Sequence, residues 1–256
     1  MKFAPSTTTC RLKGGLGNCL FQIAATWSLA RENRSAAVFE LGKGGLPHRR
    51  LNDYRNNILR KIEIGMPRKG PVYREPVRSG NYRPIPYVKN MCLDGYFQSE
   101  RYFSNHKKDI ANLFGISSEL RSCIVNKYPL IVENHTVSVH IRRGDYLQIK
   151  GLPLVGKSYV FEALKFFTSP IVFVFSDEIS WCRKNLSENF NYISEEDYIE
   201  LYMMSLCKNN IIANSTFSWW GAWLNQNPAK KIIAPNNWFG GNRRAKDLIP
   251  LEWVRI

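Results

Sequence analysis

Val137-Ser-Val-His-Ile-Arg-Arg-Gly-Asp-Tyr146 decides how the chain is read. Its first five residues alternate apolar and polar, the period-two pattern of a strand. Val137, Val139 and Ile141 therefore share one face, while Ser138, His140 and Arg142 share the other. The apolar run stops where Arg142, Arg143, Gly144 and Asp145 begin. In open α/β sheets, ligands bind just beyond the carboxyl ends of strands, so an imidazole and a guanidinium emerging together there mark a candidate site. A guanidinium offers a fork of donors matched to phosphate oxygens, and Gly144 permits backbone to approach a ligand closely. The same residues also allow Arg-Gly-Asp to be an exposed turn and His140 a satisfied core histidine.

Outward from that stretch, strand-like and helix-like segments alternate. Ile171 to Phe175 is a continuous apolar run, Ile211 to Ala213 is short and apolar, and Lys231 to Ala234 stops at Pro235. All-apolar strands of this kind are buried on both faces, as in parallel sheets. Helices are expected at Tyr159–Phe167, Ile179–Leu186, Asp197–Cys207 and Phe217–Asn225, with Ser194 to Asp197 reading as a capping box for the third. This alternation predicts a Rossmann-like parallel α/β unit over 131–256. In the other half, Thr8 to Leu12, then Gly14-Gly-Leu-Gly17, then an apolar stripe of Leu20, Ile23, Ala24, Trp27 and Ala30 give strand, glycine turn, helix. The expected division is an N-terminal domain of residues 1–130 and a C-terminal domain of residues 131–256.

Length and composition set the outer limits. The 256 residues are 44% hydrophobic and 22% charged, proportions of a folded globular protein rather than a disordered or fibrous one. No apolar run approaches the roughly 18 residues of a membrane span, and the N-terminus has no secretory apolar region. Six scattered cysteines with no C-x-x-C pair fit reduced thiols of a cytoplasmic protein. Charge is uneven: residues 1–130 carry 22 Lys+Arg against 9 Asp+Glu, whereas 131–256 carry 14 against 12. The excess is densest between Lys43 and Lys89, a proline-rich stretch expected to be loops. A basic face of this kind suits an anionic partner, including the surface of a membrane, or is simply solvated.

Two more segments carry chemistry. In Ala213-Asn-Ser-Thr-Phe-Ser-Trp-Trp-Gly-Ala-Trp-Leu224, the residues Asn214, Ser215 and Thr216 are favoured at helix starts, where backbone N–H groups form a ready anion site. Trp219 and Trp223 lie four apart on one face, the spacing of core packing. Phe175-Ser-Asp-Glu178 puts Asp177 at the end of the most apolar strand, to bind a base or sugar hydroxyls or to cap the next helix. Several classes are excluded. Leu20 stands where a dinucleotide fingerprint needs its third glycine, and phosphate-loop, zincin, nucleophile-elbow and Asp-x-Asp patterns are all absent.

These segments together resemble the α-1,2-fucosyltransferase family of inverting, GDP-fucose-dependent glycosyltransferases, bacterial and viral members especially. The matching blocks are Gly14 to Asn18 with Phe21-Gln22, Gly95 to Phe103, Val137 to Tyr146, Phe175 to Glu178, Ser205 to Lys208, Ile211 to Asn225, and Ile233 to Pro235 with Trp238-Phe239. Cys19-Leu20 depart from the family's usual Gln-Met. The resemblance implies a GT-B fold, two Rossmann-like domains with the donor site in the C-terminal one. It implies GDP-fucose as donor, no cofactor, no metal and no nucleic-acid partner. The acceptor it implies is a galactose-terminated glycan, fucosylated at O-2.

On this basis Arg142 binds the departing diphosphate, helped by Ser215 and Thr216, His140 and Asp177 hold the guanosine, and Arg143 and Asn214 are further substrate-binding residues. Asn18, with Gly15 and Gly17 in its turn, reaches the phosphate or the reacting sugar. Asp145 is the candidate base, with orientation of Arg143 or capping of the loop as its other role. Other GDP-fucose-dependent transferases, α-1,6 or peptide O-linked, and a basic polyanion-binding protein are the competing readings.

Overall fold

The structure is a computed structural model that describes residues 6–45, 51–65, 70–76, 80–241 and 246–256. Two compact units are present. The first comprises residues 1–115 with 245–250, and the second 116–244 with 251–256. The division thus falls at Gly115/Ile116 rather than at 130/131. The physical cause is the helix before the central strand, whose end is tied into the second unit: Lys127 Nζ and Tyr128 Oη each donate to Glu195 Oε1.

In the first unit, β1 (Thr7–Gly14) leads through a glycine turn into α1 (Leu16–Glu32), then β2 (Ala36–Gly45), α2 (Leu51–Asn56), β3 (Val72–Arg74), β4 (Cys92–Asp94) and α3 (Lys107–Leu113). Its four strands are all parallel, in the order β2-β1-β4-β3. The strand, turn and helix expected at the start are present. Helix and strand also occupy part of 43–89: β2 continues to Gly45, and α2 and β3 lie within the stretch expected to be loops. Residues 46–50, 66–69 and 77–79 of that stretch lie outside the described residues.

The second unit holds α4 (Ser118–Lys127), β5 (Thr136–Ile141), α5 (Lys157–Leu164), β6 (Ile171–Ser176), α6 (Ile179–Asn185), β7 (Asn191–Tyr192), α7 (Asp197–Leu206), β8 (Asn209–Ile211), α8 (Thr216–Trp223), β9 (Ile232–Ala234) and β10 (Val254–Arg255). The strands form one parallel sheet in the order β10-β9-β8-β5-β6-β7. Val137, Val139 and Ile141 of β5 pack with Val172, Val174, Ile211 and Ile233 from neighbouring strands and with Val160 and Ala163 of α5. The capping box at Ser194 does not form: the N-cap of α7 is Glu196, and no side chain caps it. Instead the Glu195 N–H donates to Glu200 Oε1 at 3.1 Å.

On the opposite face of β5, around Ser138, the core is polar and hydrogen-bonded. Asn210 Nδ2 donates to Ser138 Oγ and to the Met204 carbonyl, both at 2.7 Å, and Asn210 Oδ1 accepts from Asn225 Nδ2 at 2.8 Å. Buried polar networks of this kind fix one strand register, because any slip leaves donors unpaired. Asn210→Ala is expected to cost about 2 to 4 kcal/mol in unfolding free energy, as a broken buried network does. Urea denaturation followed by tryptophan fluorescence checks this, and a loss under about 0.5 kcal/mol, the size of a neutral surface change, would contradict it.

Candidate active site

The second unit's site begins where β5 ends. His140 is 4% exposed, its ring 5.5 Å from that of Phe217 at the start of α8. Burial, and then the nearby charge of Arg142, push the imidazole down from 6.5 to about 3. His140 is therefore neutral at physiological pH and offers hydrogen bonds rather than charge. Among the described residues its buried Nδ1 has no hydrogen-bond partner, which leaves a donor or acceptor available to a ligand.

Arg142 is the first residue beyond the strand, and two carboxylates hold its guanidinium. Nε lies 2.9 Å from Asp145 Oδ1 and 3.2 Å from Asp177 Oδ2, and Nη2 lies 2.8 Å from Asp145 Oδ1. Asp177, at the end of β6, also accepts from the Arg143 backbone N–H at 2.9 Å. Both oxygens of Asp177 are thus engaged with the loop that follows β5. A Cβ on Gly144 would sit 2.6 Å from Asp177 Oδ2, so only glycine lets the loop come this close. The Asp145 carboxylate likewise faces the guanidinium, the geometry of an orienting partner. Arg143 points elsewhere, its guanidinium 3.9 Å over the Trp181 ring of α6.

The start of α8 completes the arrangement. Tyr146 Oη donates to the Asn214 carbonyl at 3.0 Å, linking the arginine loop to the residues before the helix. Asn214 Nδ2 donates to the Pro153 and Trp238 carbonyls, both at 3.0 Å. That amide fastens two loops, which meet where a Cβ on Gly240 would fall 2.0 Å from the Gly151 carbonyl oxygen. Asn214 is 2% exposed, and among the described residues its Oδ1 has no partner. Ser215 is the N-cap of α8 and uses no side-chain cap, and Thr216 opens the first turn. Helix starts present N–H groups with no intrahelical acceptor, which suits an anion. Behind them Trp219 and Trp220 are fully buried, and Trp219 stacks on Trp223 at 6.2 Å.

His140, Arg142, Asp145, Asp177, Asn214, Ser215 and Thr216 therefore gather at the carboxyl ends of β5, β6 and β8. Tyr146, which joins the arginine loop to α8, is missed by sequence reasoning because an aromatic after Arg-Gly-Asp carries no signal until β5 and β8 are neighbours. Gly15, Gly17 and Asn18 belong to the first unit. There Gly14 has φ +80°, and a Cβ on it would lie 2.7 Å from Asn18 Nδ2, so Gly14 is the position that demands glycine. Gly15 is the N-cap of α1, and Gly17 and Asn18 lie in the helix's first turn. Gln22 clamps the turn through the Lys13 N–H and carbonyl and the Asn18 carbonyl. Asn18 Oδ1 accepts from Gln98 Nε2 at 2.8 Å, a link with no signal in sequence beyond Gln98 lying in a quoted block.

Among the described residues no group of three or more His, Cys, Asp or Glu side chains is placed to hold a metal ion. The model of Glycosyl transferase family 11 matches residues 77–256. The chain belongs to this glycosyltransferase family. It is 32% identical to the O-antigen biosynthesis glycosyltransferase WbnK of Escherichia coli, over 96% of this chain and 99% of that protein. An α-1,2-colitosyltransferase of Escherichia coli is 31% identical over 98% and 99%. A galactoside 2-α-L-fucosyltransferase, SEC1 of Bos taurus, is 26% identical over 84% and 64%. Among solved structures, the fucosyltransferase NodZ from Bradyrhizobium superposes with a TM-score of 0.57 at 16% identity, covering 85% of this chain and 93% of that one. POFUT1 in complex with GDP-fucose gives 0.54 at 12%, covering 90% and 98%. The fold of this glycosyltransferase is of the GT-B type. Among the described residues no helix is long and apolar enough to cross a membrane.

Two outcomes test the site. Arg142→Ala is expected to lower turnover about 100-fold or more with the fold intact, the usual loss when a preorganised donor to developing charge is removed; near-normal turnover of a folded variant would contradict it. For His140, whose folded-state value lies below its unfolded one, the stabilising contribution is present above pH 6.5 and lost as pH falls toward 3. Between pH 6.5 and 5, unfolding free energy is expected to drop by up to about 1.4 kcal/mol per pH unit. His140→Gln should flatten that slope, and an unchanged slope in urea titrations would count against the neutral histidine.

Proposed function

We propose that the chain moves L-fucose from GDP-β-L-fucose to O-2 of a terminal galactose on a glycan acceptor, with inversion, giving an α-1,2 linkage. The observation that carries this reading is Arg142, held at the end of β5 by Asp145 and Asp177 and tied through Tyr146 to the start of α8. As the glycosidic bond breaks, negative charge grows on the β-phosphate oxygen of the leaving GDP. A fixed guanidinium beside a helix start supplies donors to that charge where other transferases use a divalent cation. The proposal therefore includes no metal and no cofactor. Neutral His140, whose Nδ1 has no partner among the described residues, is suited to an uncharged edge of guanosine. The α-1,2 linkage follows the names of the colitosyl and galactoside fucosyl relatives.

Colitose as the transferred sugar is the second reading. It is favoured by the higher identity of the colitosyltransferase, 31% against 26% for the galactoside fucosyltransferase. The proposed place of reaction is the cytoplasm, with the basic half of the chain resting on anionic lipid, which cosedimentation with phosphatidylserine vesicles at two salt concentrations examines.

The deciding experiment offers GDP-fucose and GDP-colitose to a panel of galactose-terminated glycans in EDTA, with product linkage read by NMR. An α-1,2 product from GDP-fucose, undiminished by EDTA, is expected. Product from GDP-colitose alone would select the second reading, and activity that EDTA abolishes and magnesium restores would overturn the metal-free account.

A further inference from the structure

The first unit holds a cavity of its own, about 210 Å³ in volume, walled in part by Leu29, Glu32, Tyr82, Tyr102, Ser104 and Asn105. One wall is the second half of α1, whose last residue is Glu32, shortly before β2 begins at Ala36. A helix of 17 residues spans about 25 Å, so the cavity lies toward the amino ends of this unit's strands. It is distinct from the carboxyl edge of the same sheet, where open parallel sheets usually bind ligands.

The facing wall is irregular chain, Tyr82 to Ile85, and it is tied down. The Tyr82 N–H donates to Asp247 Oδ2 at 2.9 Å, and the Arg83 N–H donates to Tyr102 Oη at 3.2 Å. Asp247 Oδ1 lies 3.0 Å from Arg101 Nη1, and the Asp247 carbonyl accepts from the buried Ser99 hydroxyl at 2.7 Å. The Tyr82 and Tyr102 rings stand 4.9 Å apart. A segment anchored at this many points is preorganised, which lowers the ordering cost of binding a ligand against it.

The walls select the ligand's chemistry. The Arg101 guanidinium, also at the cavity, lies 4.4 Å from the centre of the Tyr82 ring, the position a ligand cation would take. Across from it the Glu32 carboxylate disfavours an anion. Its Oε1 accepts from Asn105 Nδ2 at 3.1 Å, and among the described residues no hydrogen bond reaches Oε2. A wholly apolar ligand would strip water from Glu32, Arg101 and Asn105 without replacing its hydrogen bonds. What fits is a neutral molecule with an apolar face for the tyrosines, Pro84 and Ile85, and hydroxyls for Glu32 Oε2, Asn105 and Ser104. A pyranose ring has that form, with C–H groups on its faces and O–H groups around its rim. The cavity falls below the roughly 300 to 1,000 Å³ of drug-sized pockets, which suits a single sugar ring.

We propose that this cavity is a carbohydrate-binding subsite that holds one neutral pyranose of a glycan. Residues of the first unit alone form it, and its occupancy requires neither nucleotide nor transfer.

The test is ligand-observed NMR of the full chain, without nucleotide, against the methyl pyranosides of galactose, glucose, N-acetylglucosamine and fucose. At least one is expected to bind with a Kd of about 1 mM, the strength of a few polar contacts to a small ligand. Glu32→Ala, at an exposed helix end, should weaken that binding about tenfold or more, as loss of a hydrogen bond to a charged group does. Ser104→Trp, which fills the cavity from its exposed rim, should abolish it. Both variants should keep the wild-type melting temperature. No pyranoside binding at about 10 mM, or binding that either folded variant leaves within about threefold of wild type, overturns the proposal. Tetramethylammonium that binds the wild type, is lost in Glu32→Ala and is displaced by no pyranoside marks a cation site and overturns it as well. If neither variant folds, a wild-type crystal soaked with the bound pyranoside decides, and sugar found elsewhere with this cavity vacant overturns the proposal. Failure to transfer from any GDP-sugar overturns the transferase reading alone, because the NMR measures binding without donor.

Discussion

Everything in the second unit's site depends on one ionic arrangement, a guanidinium held between two carboxylates at the mouth of a buried strand. A lone arginine at a strand end sweeps many rotamers and must be ordered at each turnover, at a cost of up to about 2 kcal/mol in side-chain entropy. Asp145 and Asp177 meet that ordering requirement in advance. Because Arg142 is only about one-third exposed, these pairs are screened less than surface ones, although the main effect is geometric rather than stabilising. Asp177 can act as a brace because β6 lies parallel beside β5, with Ser176 opposite Ile141, so the next residues of both strands meet.

The same parallel topology explains why so few residues need special chemistry. Strands β5, β6 and β8 each end in a different tool: a guanidinium, a carboxylate, and a Ser/Thr helix start. Adjacent parallel strands deliver all three to one edge. The hydrophobic face of β5 and the bonded amide of Asn210 fix the register on which this convergence rests, since a one-residue slip would turn Arg142 to the far face. Core packing and site geometry are in this sense a single constraint.

Much of this was legible in sequence because each signal was local. The alternation of Val137 to Ile141 gave the strand and its two faces, and the continuous run at Ile171 gave a doubly buried neighbour. The tryptophan spacing gave a buried helix behind its polar start. What was not legible came from pairing between distant segments. Asp177 reads equally well as a cap or a ligand contact until β6 is placed beside β5. Asn214 reads as a helix-start residue until Pro153 and Trp238 are seen to share its amide. Arg143 looks equivalent to Arg142, yet the indole of Trp181 draws it away. The domain boundary was misplaced because α4 is a mostly exposed helix with one buried residue, Ile124, so its attachment through Glu195 left no periodic trace.

The most direct test of the account is a crystal structure of the chain with GDP bound. The account predicts β-phosphate oxygens within about 3 Å of the Arg142 guanidinium nitrogens, the distance of a charge-assisted hydrogen bond, with the start of α8 at Ser215 and Thr216 alongside. GDP bound in full occupancy with its phosphates remote from both would contradict it.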